Sequence, residues 1–464
     1  MKALLGLLTL LTFAGVLVVI PSLAEAAGAL IVCVVVAIPV AIVLLRIKED
    51  GHFLLQLFVA AVLVRVAVGT IVNVFELQEF FGGDVFTYDF YASALVKSWA
   101  GDRYSQSLVD GFMGQYGASG WGMVYLTGGI YKIVGHNMLA VQFVNAVIGA
   151  ATAPVIFEIG HTLFGNKRVA RLSSVFVAFF PSLVLWSSMG LKDGPIVFLL
   201  VLAILLTLRL GEKFNVLHAV TLCLVLAILI TFRFYIFYMI TAAVVGAFVI
   251  GMRELSLMSF IRQSFVIASL GLALTYMGVL RRASEQAGYF GDLRVLENSR
   301  QDQARFQSGF GRDVDVSTPE GAIRAAPMGV VYLLFAPFPW EISNLRQSIT
   351  LPEMMIWWAS FPLLILGLWF TVKYRLRKAF VILIFTTMLT LAYSVFQGNV
   401  GTAYRQRSQL LVFYFIFVAV GYELVLERRE EKKRQIAASI EAMKDRRQSH
   451  SILDRGKTTL RQSS

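Results

Sequence analysis

The sequence predicts an all-α polytopic membrane protein, and three observations carry that prediction. Of its 464 residues, 57% are hydrophobic and only 15% charged, and the mean hydropathy is +0.71. A soluble domain has roughly 25% charged residues, so this chain lacks the charge to wet its whole surface. The apolar residues fall into repeated runs of roughly 17–23, the length a helix needs to cross about 30 Å of hydrocarbon. Lys and Arg gather beside the ends of those runs, at Arg46–Lys48, Lys167–Arg171, Lys373–Lys378 and Arg428–Arg434, as the positive-inside rule expects of cytoplasmic ends. Membrane surfaces thereby account for the formal charge of +12, and no nucleic acid is needed as a partner.

About twelve transmembrane helices are expected, near 3–21, 27–46, 53–75, 137–163, 168–188, 194–210, 216–232, 235–251, 259–280, 352–373, 378–396 and 409–426. The basic clusters put both chain ends in the cytoplasm, which an even number of spans allows. Residues 1–50 read as an N-terminal helical hairpin in preference to a cleaved signal peptide. Residues 51–426 form the main transmembrane unit, with long outer loops at 76–136 and 281–351. Residues 427–464 form a charged cytoplasmic tail, helical before it ends in disorder. The first loop alternates aromatic and polar residues (Tyr88, Tyr91, Trp99, Tyr104, Tyr116, Trp121, Tyr125), the pattern of amphipathic helices lying along the membrane surface. The second loop is polar from Arg281 to Arg324 and turns apolar at Val330–Ile342. That run is too short to span and carries two prolines, so it reads as interfacial or re-entrant. Cys33 and Cys223 both sit in apolar runs, and neither a disulfide framework nor a zinc site is supported.

A carrier would keep its polar groups inside the spans, near the midplane. Here the spans are mostly clean, with Arg65, Glu158, His161 and Arg233 as exceptions. Arg65 and Glu158 read either as a structural pair between neighbouring helices or as functional charges. The other notable polar residues lie at outer helix ends: Asp84, Tyr88 and Asp89; Lys192 and Asp193 in WSSMGLKDGP; Trp340 and Glu341 in APFPWE; and Arg405 and Arg407 in GNVGTAYRQRSQ. An outer Arg pair beside a span runs against the positive-inside tendency and needs a compensating anion. Phosphate suits it, because guanidinium offers a planar, bidentate set of donors. Carboxylates from two outer loops and cations from others, lining one cavity, suit glycosyl transfer from a lipid-phosphate sugar. One carboxylate takes the proton of an acceptor hydroxyl, while cations or a metal stabilise the departing phosphate. The chain has neither a Walker A nor a dinucleotide fingerprint.

Asp84-x-x-x-Tyr88-x-x-x-Ala92, at the start of the first outer loop, resembles the first-loop signature of the GT-C superfamily of integral membrane glycosyltransferases. Within it the chain is similar to bacterial relatives of the dolichyl-phosphate-mannose protein mannosyltransferases and the aminoarabinose transferases. LFGNKRVAR, at Leu163–Arg171, resembles the family's basic turn between two spans, and the resemblance covers about Phe53 to Tyr238 well. It implies Asp84 as catalytic base or acceptor-orienting carboxylate, and Asp193 as its second-loop partner. Asp89, Tyr88 and Glu341 are then expected around the acceptor or a metal, and Lys192, Arg233, Arg405 and Arg407 around the lipid phosphate. A divalent cation, Mg or Mn, is the one cofactor implied. The family often has Asp-Glu where this chain has Asp84-Val85, which leaves Asp84 and Asp89 as alternatives. Many members also carry a soluble C-terminal domain where this sequence has a short tail.

The function expected is transfer of a sugar from a polyprenyl-phosphate-linked donor to a glycan, lipid or protein acceptor. The resemblance implies a one-step inverting reaction. The expected place is a bacterial inner membrane, with the site facing the periplasm and membrane lipids around it, in envelope or exopolysaccharide assembly. An O-antigen-type polysaccharide polymerase or ligase fits the late loop and the Arg405/Arg407 pair, but not the aspartate of the first loop. A transporter of lipid-linked sugars would instead depend on Arg65 and Glu158.

Overall fold

Inside hydrocarbon, a lone chain segment satisfies its backbone only as a helix, and the computed structural model of the chain is built of helices. It describes residues 2–116, 120–250, 268, 271–272 and 292–461. The N-terminal helices are α1 (Lys2–Val19), α2 (Leu23–Leu45) and α3 (Gly51–Val74). The first outer loop folds as a short α4 (Gln78–Gly82), then α5 (Asp84–Trp99), α6 (Arg103–Tyr116) and α7 (Trp121–Val134). After it come α8 (Met138–Phe164), α9 (Lys167–Phe179), α10 (Pro181–Ser188), α11 (Asp193–Glu212), α12 (Val216–Phe232) and α13 (Phe234–Ile250). The second loop contributes α14 (Leu293–Ala304), α15 (Pro319–Phe335) and a one-turn 3-10 helix at Pro339–Glu341. The chain closes with α16 (Leu345–Tyr374), α17 (Leu376–Phe396) and α18 (Val400–Arg461).

Among the described residues, seven helices are long and apolar enough to cross a membrane: α2, α3, α8, α11, α16, α17 and the first part of α18. The pair α9 and α10 passes the same test jointly, and α1, α12 and α13 are shorter apolar helices. Every expected span but one therefore has its helix; the span near 259–280 lies, but for residues 268 and 271–272, outside the described residues. The protein is an all-α, multi-pass membrane protein. Helix α8 is buried on nearly all sides, which marks it as the centre of the bundle, and α2, α3, α9, α10 and α11 all pack around it.

The structure corrects four expectations. The span expected at 168–188 is broken by 51° between α9 and α10. Pro181 has no N–H to give back to the preceding turn, and its ring crowds that turn's carbonyl. The Arg65 guanidinium takes up the carbonyls so freed, donating to Ala178 O at 2.7 Å and Val177 O at 3.4 Å. Arg65 therefore makes no pair with Glu158, which accepts from Arg209 at 2.6 Å instead. Val330–Ile342 is not one segment: its first half ends α15, and the chain breaks at Ala336–Pro337 before the 3-10 turn. The tail continues as helix through Arg461 where disorder was expected.

Candidate active site

Two of the expected carboxylates open helices. Asp84 is the first residue of α5 and Asp193 the first of α11, where unpaired N–H groups and the helix dipole favour negative charge. The turn that carries Asp193 is fixed from the bundle centre. Asn145 of α8 donates through Nδ2 to Met189 O at 2.6 Å and Leu191 O at 2.7 Å.

Arg405, in the second turn of α18, joins the two. Its Nε donates to Asp193 Oδ2 at 2.8 Å, with Nη2 2.5 Å from the same oxygen, and its Nη1 donates to Asp84 Oδ2 at 2.9 Å. The Asp193 side chain is 1% exposed and that of Asp84 54%. One carboxylate is thus sealed in the protein while the other opens to a groove. The chain brings residues 84, 193 and 405 to one point from three distant segments.

Two further cations flank this centre. Arg233, at the C-terminal end of α12, approaches Asp193 Oδ1 at 3.8 Å, yet that oxygen and Arg233 Nη1 are both buried without a hydrogen bond. Lys192 lies with its ammonium 5.9 Å from the centroid of the Tyr88 ring. Burial, with Arg233 beside it, pulls the Lys192 ammonium down to about 8, because removal from water disfavours the charged form. Burial and the Asp84 charge push the Tyr88 phenol above its ordinary range, so it remains a neutral hydroxyl. Three cations against two carboxylates leave one positive charge in excess, with donors to spare on Lys192 and Arg233. Such a site suits an anion.

The remaining expected residues sit elsewhere. Asp89 accepts from the Tyr131 hydroxyl and from His136 Nε2, the latter at 2.8 Å, and so closes α5 onto α7 away from Asp84. Glu341 accepts from Tyr332 at 3.2 Å within the second loop. Arg407 is 1% exposed and donates to Leu334 O at 2.8 Å and Ala336 O at 2.7 Å. It ties the end of α15 to α18 and does not face the groove. A divalent cation needs several oxygen ligands at one point. Among the described residues no three of His, Cys, Asp and Glu gather for one, and a guanidinium already stands between the two carboxylates that meet. As arranged, the donor set does not fit Mg or Mn.

Sequence reasoning missed the groove that Asp84 lines. It has a volume of about 840 Å³ and runs between α4, the start of α16, the turn before α18 and the segment after α14. Trp186, Phe80 and Arg346 are among its walls. Asn344, whose side chain caps α16 at Gln347 N at 3.0 Å, is the local signal that fixes where α16 starts.

Residues 121–277 match the dolichyl-phosphate-mannose-protein mannosyltransferase family. This is a family the sequence resembles. The matched segment holds Lys192, Asp193 and Arg233, and it leaves Asp84 and Arg405 outside. No curated protein matches the chain. Among solved structures, it is similar to the oligosaccharyltransferase of Archaeoglobus fulgidus in the apo form, at 12% identity and a TM-score of 0.47 over 85% of this chain and 52% of that one. The archaeal oligosaccharyltransferase AglB from the same organism, in complex with an inhibitory peptide and a dolichol-phosphate, is similar at 12% identity and a TM-score of 0.48, over 84% and 52%. The chain spans about half the length of these structures.

Proposed function

We propose that the protein is a membrane glycosyltransferase that moves a sugar from a polyprenyl-phosphate-linked donor to an acceptor hydroxyl outside the cytoplasm. The observation that carries this reading is the Arg405 bridge between Asp84 and Asp193, flanked by Lys192 and Arg233, with Asp84 and Arg405 lining a groove. The family match over residues 121–277, which includes three of these side chains, supports it.

In this reading the donor phosphate sits against Lys192 and the unpaired Nη1 of Arg233. Asp84 is the carboxylate that reaches the groove. The acceptor oxygen attacks the anomeric carbon and the sugar–phosphate bond breaks, so polyprenyl phosphate leaves with the electron pair. The acceptor proton passes to Asp84. Attack from the side opposite the phosphate inverts the anomeric centre in one step. Asp193 cannot serve as that base, since it is sealed from the groove and its Oδ2 is held by the Arg405 guanidinium. Its work is to hold Arg405, and through it Asp84, in place. A general base of this kind contributes about 10²–10⁴-fold.

The test is transfer from a polyprenyl-phosphate sugar in membranes carrying Asp84→Asn at matched expression. Loss of two or more orders of magnitude with an unchanged melting temperature supports the assignment. Full activity would overturn it. A bacterial inner membrane, a periplasmic site and a role in envelope or exopolysaccharide assembly belong to the same proposal, and they rest on the resemblance and the charge pattern of the loops.

A further inference from the structure

The groove says more about what it holds than that it holds an acceptor. Its lining includes three charged residues, Asp84, Arg405 and Arg346. The first two neutralise each other. Arg346 is exposed, its guanidinium lies 5.0 Å from the centroid of the Phe80 ring, and among the described residues its side chain makes one hydrogen bond, a long 3.4 Å contact from Nη2 to Glu79 O. Among the described residues no carboxylate comes within ion-pair distance of it. The contact with the ring leaves most of its N–H groups free, the arrangement that suits a carboxylate or phosphate.

The rest of the lining is neutral, and much of it is amide, hydroxyl or aromatic. Gln303 carries a buried Oε1 with no hydrogen-bond partner, a group that calls for a donor from a ligand or water. A lipid tail would leave such atoms unsatisfied, while sugar hydroxyls supply donors and acceptors to amides and lay their ring faces on aromatic side chains. Phe80, Arg346 and Asp84 line the same groove, so an acidic group on Arg346 shares it with the hydroxyl that Asp84 would deprotonate.

We infer that the groove binds an acidic oligosaccharide, with a carboxylate or phosphate of the chain held by Arg346 near the acceptor hydroxyl. This deepens the glycosyltransferase reading and rests on it only for the word acceptor, since binding needs neither donor nor transfer.

The experiment is direct binding to the purified full-length protein in detergent, without donor. The probes are trigalacturonic acid, the neutral trisaccharide maltotriose and an acidic tripeptide of equal charge. Trigalacturonic acid is expected to bind at least tenfold more tightly than maltotriose. Arg346→Gln is expected to remove that advantage at an unchanged melting temperature, and Arg346→Lys to restore part of it. Equal binding of the two trisaccharides, or an advantage that survives Arg346→Gln, overturns the proposal. Preference for the peptide also overturns it and makes the groove a peptide site. Full transfer by Asp84→Asn beside Arg346-dependent sugar binding would remove Asp84 as the base and leave the sugar site standing, while absence of any transfer beside that binding would remove the enzymatic reading alone.

Discussion

Arg405 touches two carboxylates that differ sharply in burial, and this difference can be measured. In Arg405→Gln, the 1% exposed Asp193 side chain loses both contacts to its nearest cation. Breaking one partner out of a buried pair costs about 3–5 kcal/mol, mostly because the remaining charge is left uncompensated. Arg233, at 3.8 Å, offsets part of that, which puts the expected loss near 2–4 kcal/mol. The Asp84 contact involves a side chain 54% exposed, where pairs contribute about 0.2–1 kcal/mol. Two double-mutant cycles separate these terms, read by denaturant or thermal unfolding of the detergent-purified protein. Arg405→Gln with Asp193→Asn is expected to show a coupling above about 2 kcal/mol, because the double variant no longer buries the Asp193 carboxylate without its main cation. Arg405→Gln with Asp84→Asn is expected to show less than about 1 kcal/mol. Equal couplings, or a larger one for Asp84, would refute the picture of one sealed and one open carboxylate.

Other outcomes follow from the same geometry. Lys192 holds a proton below about 8 and loses it above, and only the ammonium attracts a phosphate. The KM for the lipid-phosphate donor should therefore rise as pH climbs through that value, and Lys192→Arg should flatten the rise. Arg65→Met frees the carbonyls of Val177 and Ala178 and should lower stability by about 2 kcal/mol, with transfer weakened through the loosened α9–α10 break. A transporter would lose transport at full stability. Asp89→Asn should leave transfer within a few-fold of wild type, since Asp89 is committed to Tyr131 and His136. Gly149→Ala puts a Cβ 2.3 Å from that of Ser187 and should cost about 1–3 kcal/mol of overpacking strain, seen as a lower melting temperature.

The bundle was legible because its signal is local. Apolar runs of spanning length and flanking Lys and Arg mark spans one at a time, and most helices lie where those runs do. The break at Phe180 was legible in part. Pro181 is the residue that stops α9, but an apolar flank on both sides reads as one span unless the bend is seen. Long-range pairing was not legible at all. Arg65 with Glu158 and Arg405 with Arg407 are natural pairs by sequence, and each pair is split in the fold. Arg407 lies two residues from Arg405, a turn of about 200° on a helix, which sends one guanidinium to the carboxylates and the other to backbone carbonyls of α15. Asp84 and Asp193 were singled out for their places at outer helix ends, and that they meet through Arg405 is a property of the tertiary fold alone.

The charges inside the membrane complete the argument. A carrier spends intramembrane charges on its cargo, so they would face a pathway. Arg65 does not: its guanidinium is consumed by two carbonyls at the α9–α10 break, by Ala61 O at 3.1 Å and by Ser187 Oγ at 2.8 Å. Ser187 is in the last turn of α10, just before the turn that Asn145 holds by Met189 and Leu191. Asp193 follows that turn directly. A buried arginine in α3 and a buried asparagine in α8 thus brace, from within the bilayer, the loop that presents Lys192 and Asp193 to Arg405. The intramembrane polarity supports a fixed site at one face of the bundle, and a fixed site is what transfer chemistry requires.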